Sequence, residues 1–394
     1  MHRWHVIVVG IVALVVFCGS GRAQDIGFDL GPEEFVQAGG SDIVVPGYSV
    51  PSLADWNNDL LKDLIVGQGG GYGDAKVRVY LNVGTEGYPC FADYFHVQSN
   101  GADLTCPAQG CMGCFPRVVY WDQDEYKDLL VGQADGMVKI FLNVADDNEP
   151  AFDGGAYVKV GTGGLWNLDV GSRATPSVVD FNGDGRLDIV AGGMDGYIHV
   201  YENSAADGLP PQFENSSAGG TRAWMGGADL YVSAGRSSPV VMDLDGDGWL
   251  DLLAGNTSGW ILFYANAQVE DMTVFVEPTR VASQGVSIDL PGSPRSRPSV
   301  CHWTGDGHFG PADGYWDLLI GSGDGRVRLY RGIPKVGDFD ADGVLDGDDF
   351  TLLVRALDQP LGPEGSPADL NADGVVDNTD LRIFADLWRA DHPE

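Results

Sequence analysis

Positive charge is scarce in this 394-residue chain: 23 Lys and Arg stand against 57 Asp and Glu, a formal net charge of −34 at pH 7. Nucleic acid and anionic membrane surfaces repel such a chain, which excludes both as principal partners. Histidine is also sparse. The sequence holds no nucleophile motif, no phosphate-cradling glycine loop and no zinc signature, so no catalytic residue is assigned from it. Long apolar runs are missing after the first residues, and nothing beyond them could span a bilayer.

At the N-terminus, His2, Arg3 and His5 give a polar start, Val6 to Phe17 an apolar core, and Gly21 and Ala23 small residues before a cut. This pattern predicts a secretory signal over 1–23 and an extracellular or cell-surface protein. The apolar stretch is short for a membrane anchor, and Phe17 before Cys18 is too bulky for a lipidation signal. Five cysteines would then remain. Three crowd into Cys106-Pro-Ala-Gln-Gly-Cys111-Met-Gly-Cys114. A redox pair, a zinc site and a disulfide-stapled loop are the alternatives. No fourth zinc ligand lies nearby and no βαβ pattern surrounds them, so a staple is expected, with Cys90 as a further candidate partner. Cys301 reads as a buried small hydrophobe.

What the chain does have is glycine, 57 residues of it, and an acidic phrase that returns. Asp180-Phe-Asn182-Gly-Asp184-Gly-Arg-Leu-Asp188 is one copy and Asp243-Leu-Asp245-Gly-Asp247-Gly-Trp-Leu-Asp251 another. Asp55-Trp-Asn57-Asn-Asp59-Leu-Leu-Lys-Asp63 is a third. Oxygen side chains at positions 1, 3, 5 and 9 of a tight loop suit calcium, a hard cation that takes six or more oxygens. A short apolar run ending in Gly follows each phrase and reads as a buried strand.

A proline precedes each phrase. Pro51, Pro116, Pro176, Pro239 and Pro298 recur every 59–65 residues. Each unit continues through the apolar strand, a two-residue turn such as Asp135-Gly136 or Asp195-Gly196, and a second strand. A further strand is expected to begin at an aromatic: Phe91, Phe152, Phe213 and Phe275. Phe35 looks like this aromatic strand standing alone at the start, while the last unit lacks its own copy. About sixty residues and four antiparallel strands per unit predict a mainly β, five-bladed propeller whose N-terminal strand completes the last blade and hides two sheet edges.

The phrase and its strand resemble the FG-GAP/VCBS propeller repeat over about residues 35 to 332, which implies calcium in units one, three and four. Unit two departs, with Tyr120 at position 1 and only Asp122, Asp124 and Asp128 left as a weaker set. In unit five His302 and Thr304 replace the first two ligands and an insertion precedes Asp313-Gly-Tyr-Trp-Asp317, so no site or an altered one is expected.

The tail reads differently. Asp338, Asp340, Asp342, the Val344 carbonyl, Asp346 and Asp349 occupy positions 1, 3, 5, 7, 9 and 12 of an EF-hand-type loop. Asp369, Asn371, Asp373, the Val375 carbonyl, Asp377 and Asp380 repeat it, and each loop leads into an apolar helix. These loop-helix units resemble a type I dockerin, which implies a small α-helical domain over 333–394 after the propeller at 24–332. The resemblance also implies a cohesin-like partner, met through loop positions 10 and 11. Here those are Gly347, Asp348, Asn378 and Thr379, which depart from the usual Ser-Thr.

Arg173, Arg236 and Arg295 stand three residues before their prolines and would ring the propeller axis, as an anion site or as salt-bridge partners of nearby Asp. Trp56, Trp121 and Trp303, second in their loops, would stack on sugars or pack between blades. The expected function is an exported, non-catalytic calcium-binding module with a glycan or protein ligand on the propeller. The alternative is a polysaccharide-degrading enzyme, a glycoside hydrolase or lyase, or an accessory subunit of such a complex.

Overall fold

The computed structural model describes residues 26, 28–70, 74–108, 113–122, 124–206, 208–267, 272–290, 294–303, 315–333, 335–340, 345–357, 359, 366–371 and 373–391. The expected signal at 1–23 lies outside them. The chain forms one compact unit over Gln24–Val344 and a second that holds Leu345–Glu394. The first is mainly β.

Five copies of one three-stranded antiparallel meander make up most of it. First and second strands pair in the same register each time: Pro51 opposite Val66, Pro116 opposite Val131, Pro176 opposite Ala191, Pro239 opposite Ala254 and Pro298 opposite Ile320. Third strands, such as Val138–Phe141 and Val327–Tyr330, follow in a repeated register too. The second strands are buried along their whole length, which explains their continuous apolar runs.

The glycine that ends each run has a steric cause. A Cβ on Gly67, Gly132, Gly192 or Gly255 would lie 2.2–2.4 Å from the carbonyl oxygen of Cys114, Ala174, Ser237 or Ser296 in the next unit. On Gly321 it would lie 2.2 Å from the Ser49 oxygen, back in unit one. Neighbouring units thus approach backbone to backbone, and the fifth meets the first as the others meet each other. The buried apolar clusters tell the same story. Trp121, Leu130, Ile189 and Phe213 join units two and three. Leu64, Val66, Leu319 and Leu329 join units one and five.

Glu34–Phe35 is the fourth strand of the fifth unit, pairing antiparallel with Val327–Tyr330. Glu33 anchors it: its Oε2 accepts from Arg328 Nε at 3.2 Å and from the Tyr330 hydroxyl at 2.9 Å, while Arg328 Nη2 reaches Asp324 Oδ2 at 2.6 Å. The other fourth strands are Phe91–His96, Ala156–Tyr157, Thr221–Arg222 and Thr279–Arg280. Only the first starts at its aromatic. Phe152, Phe213 and Phe275 lie a few residues earlier and are buried as plugs against the preceding unit.

In the second unit, α1 spans Gly347–Ala356 and α2 spans Asn378–Asp391. Their apolar faces meet through Phe350 and Phe384, 6.0 Å between ring centroids, with Leu353 and Val376 fully buried beside them. Each helix starts in a capping box. The Asp346 carboxylate accepts from Asp348 N–H while Asp349 accepts from Asp346 N–H; Asp377, Thr379 and Asp380 repeat the arrangement.

Candidate functional site

The acidic phrases form one recurring loop. Position 1 accepts the position-6 N–H in each: Leu60 to Asp55 at 3.0 Å, Gly185 to Asp180 at 2.8 Å, Gly248 to Asp243 at 3.0 Å, and Gly374 to Asp369 at 2.9 Å in the tail. Position 5 accepts the position-7 N–H: Leu61 to Asp59, Arg186 to Asp184, Trp249 to Asp247 and Val375 to Asp373, at 2.8–3.0 Å. The position-6 residue is left-handed, with φ of 85° at Gly185, 90° at Gly248 and 89° at Gly374. Leu60 and Glu125 take the same conformation without glycine, at 71° and 72°, so loops one and two carry backbone strain.

Asp243, Asp245 and Asp247 bring carboxylate oxygens within 4.8 Å of one another. Such a hard-oxygen set fits calcium, as does the Asp-Asn-Asp set of loops one and three. In loop three Arg186 Nη2 pairs with Asp184 Oδ2, so a cation there would have to compete with it. In unit two, Asp124 keeps the position-5 bond to Tyr126 N–H at 2.9 Å, while Tyr120 is exposed in place of the first carboxylate. In unit five Thr304 and Asp313 fall outside the described residues, and His302 stacks on Trp316 at 3.9 Å. Asp342 and Val344 also fall outside them, as do Cys111 and His308.

Position 9 has a second role. Asp63, Asp128, Asp188, Asp251 and Asp317 are all buried. Each takes one main-chain N–H on either oxygen. Oδ2 accepts from Trp56, Trp121, Phe181, Leu244 and Trp303, tying down the loop start. Oδ1 accepts from Asn82, Asn143, Asn203, Asn266 and Gly332 at the end of the third strand. Units two and five, which lack a full loop, keep this strut, so it holds the unit together apart from any ion. Burial pushes Asp63, Asp128 and Asp188 up to about 6 and Asp251 up to about 7.

Trp56, Trp121 and Trp303 are buried and pack on Phe152, Phe213 and Phe91 of neighbouring units, at 5.7, 6.2 and 5.6 Å. They cannot stack on an external sugar. The aromatic surface lies elsewhere. Between units three and four runs a groove of about 600 Å³. One wall is Asp180 to Gly183 of loop three, the other Gly248 to Leu250 of loop four. Trp224 and Trp249 open onto it, 50% and 47% exposed, beside Met272, Thr221, Thr273 and Glu202. Sequence reasoning passed over both indoles. Trp249 occupies a spacer position of the phrase, and Trp224 sits in a two-residue strand without periodicity.

Cys106 and Cys114 form a disulfide, with their Cα atoms 5.9 Å apart. Cys90 is an exposed free thiol and not its partner: Asn82 Oδ1 fixes its main chain at the end of the third strand, whereas Cys106 pairs with Ala75 at the start. Cys301 is free and buried. His199 is buried, with Nδ1 at 2.8 Å from the Gly219 carbonyl and Nε2 at 3.3 Å from Asp195. Gly347, Asp348, Asn378 and Thr379 are exposed in the first turns of α1 and α2.

Residues 180–254 match a family described as an FG-GAP-like repeat. No curated protein matches the chain. Among solved structures, the chain is similar to the Coprinopsis cinerea GH62 alpha-L-arabinofuranosidase catalytic domain, at 11% identity and a TM-score of 0.41, covering 78% of this chain and 98% of that one. BBS1N in complex with ARL6DN, soaked with lead, gives 13%, 0.34, 78% and 97%. A glucose dehydrogenase gives 12%, 0.35, 78% and 86%. Likenesses this distant carry nothing about ligand or activity.

Proposed function

We propose that this chain is an exported, non-catalytic, calcium-binding five-bladed β-propeller that binds neutral glycan chains, with a dockerin-like tail that captures a cohesin-like protein. The groove between units three and four carries the reading. Two half-exposed indoles flank a cleft of about 600 Å³ lined otherwise by apolar side chains such as Phe181, Leu250 and Met272 and by the polar groups of Asn182, Glu202, Thr221 and Thr273. Flat apolar faces beside hydrogen-bonding groups suit pyranose rings, which are apolar on their faces and polar on their edges. The net charge of −34 favours an uncharged ligand over an acidic one.

Calcium would be held by Asp55, Asn57 and Asp59, by Asp180, Asn182 and Asp184, by Asp243, Asp245 and Asp247, and by the two tail loops. It would fix the groove walls, since Trp249 sits at position 7 of loop four. The disulfide suits an oxidising, extracellular setting. Five repeated registers, the Gly321–Ser49 approach and the Glu34–Phe35 pairing support closure of the ring. Paired loop-helix units with exposed first turns support the docking role.

The test is calorimetric titration of calcium-loaded protein with cello-, xylo- and manno-hexaose, with reducing-sugar release followed in parallel. Saturable binding that weakens at least tenfold in Trp224→Ala and in Trp249→Ala, with no new reducing ends, is expected. Silence across the panel contradicts the glycan reading, and steady release of reducing ends transfers it to the enzyme class.

A further inference from the structure

At the centre of the five units lies a hub of buried cationic side chains. Arg173 of unit three is fully buried, and Arg297 of unit five is 1% exposed. Both guanidinium groups face the Phe115 ring of unit two, at 5.4 and 5.8 Å from its centroid. Arg297 also lies 5.0 Å from the Tyr48 ring of unit one. Arg173 Nη2 donates to Ser238 Oγ of unit four at 3.1 Å. Side chains from all five units therefore meet here.

Among the described residues Arg173 has no carboxylate partner, and its Nε and Nη1 have no hydrogen-bond acceptor. Gln133 is adjacent: Arg173 N–H donates to the Ala134 carbonyl and Ala174 N–H to the Gln133 carbonyl, both at 3.0 Å. Its carboxamide is fully buried too, and neither its nitrogen nor its oxygen has a partner among the described residues. Unmet donors thus belong to two buried side chains on adjacent main-chain segments.

Burial, and then the charges of Arg297 and Arg236, act against the Arg173 cation. A guanidinium cannot escape by losing its proton at any physiological pH. Water could fill the hydrogen bonds but not balance the buried Arg173 charge in a low-dielectric interior. Because the hub is sealed, a uronate or a phosphate ester has no way in.

We propose that the hub holds one small inorganic anion of chloride size, bound by Arg173 Nε and Nη1 and by the Gln133 amide, as a structural ion of the ring. An acidic protein would then carry an anion at its centre and cations at its rim.

The probe is chloride itself, on the full chain loaded with calcium gluconate, with sodium chloride exchanged for sodium gluconate at constant ionic strength. Wild type should melt several degrees lower in gluconate and recover saturably with chloride or bromide, whereas Arg173→Met should show no chloride dependence. Equal melting in the two salts, or the same chloride dependence in wild type and variant, overturns the proposal. Should the variant not fold, wild-type crystals grown in bromide decide: an anomalous peak beside Arg173 supports the site, and its absence overturns it. Oligosaccharide binding enters none of these readings, so this site and the groove stand or fall separately.

Discussion

Ser49, near the start of the first repeat, accepts the main-chain N–H of Ser322, near the end of the last, on its Oγ at 3.0 Å. Its hydroxyl donates onward to the Arg326 carbonyl. The same pair of bonds joins Ser237 to Gly193 and Tyr197, and Ser296 to Asn256 and Trp260. All three serines are fully buried. A contact that spans 273 residues of sequence thus copies contacts between adjacent repeats.

Ser49→Ala, Ser237→Ala and Ser296→Ala should each cost about 1–3 kcal/mol, because each strands a buried N–H and a buried carbonyl. Urea unfolding midpoints check this. A cost at Ser237 and Ser296 with none at Ser49 would mean that units one and five do not meet in solution.

The repeat itself was legible because each of its marks demands one residue type and returns at a fixed place from unit to unit. The proline fixes the register of the first strand, the glycine admits the next unit's backbone, and Asp-Gly makes the hairpin, with φ of 93° at Gly136 and 84° at Gly196. Less legible was anything set by packing between repeats. Phe152, Phe213 and Phe275 look like strand starts in sequence, but each packs on an aromatic of the neighbouring unit, Phe275 in a two-residue strand paired with Trp224–Met225, and the fourth strand of their own unit begins later. The strut role of position 9 left one signal, the asparagine that ends the third strand at Asn82, Asn143, Asn203 and Asn266. The groove left none, since Trp224 and Trp249 come together only when units three and four pack.

Asp317→Ala should destabilise the protein by about 2–5 kcal/mol with or without calcium, because it orphans the N–H groups of Trp303 and Gly332 together. Melting in EGTA and in calcium should show the same loss. A loss confined to calcium would make Asp317 a ligand and not a strut.

Asp324 gives a pH signature. Burial alone would raise it, but hydrogen bonds from Arg328, Ser322 and the Arg326 N–H together with the Arg328 charge hold it down to about 2. A depressed carboxylate stabilises the fold above its unfolded pKa of about 4, and that contribution is lost as pH falls toward 2. Asp324→Asn should therefore weaken the fold at pH 6 and differ less from wild type at pH 2. Unfolding midpoints at the two pH values check the sign, and an equal gap at both would remove Asp324 from the anchor of the N-terminal strand.

In the tail, the capping boxes and the Phe350–Phe384 contact are not expected to hold two short helices without the loops filled. Asp369→Ala should remove part of the far-ultraviolet helical signal in calcium, as EGTA should in wild type. An unchanged helical signal in both would leave the tail loops as solvated turns.

Calcium loading of the acidic loops is the centre of this reading, and its most direct test is a count. Isothermal titration of the chelator-stripped full chain should find five calcium ions, three for loops one, three and four and two for the tail, with affinities of roughly 10⁻⁴–10⁻³ M or tighter. No saturable uptake up to about 10 mM would contradict it.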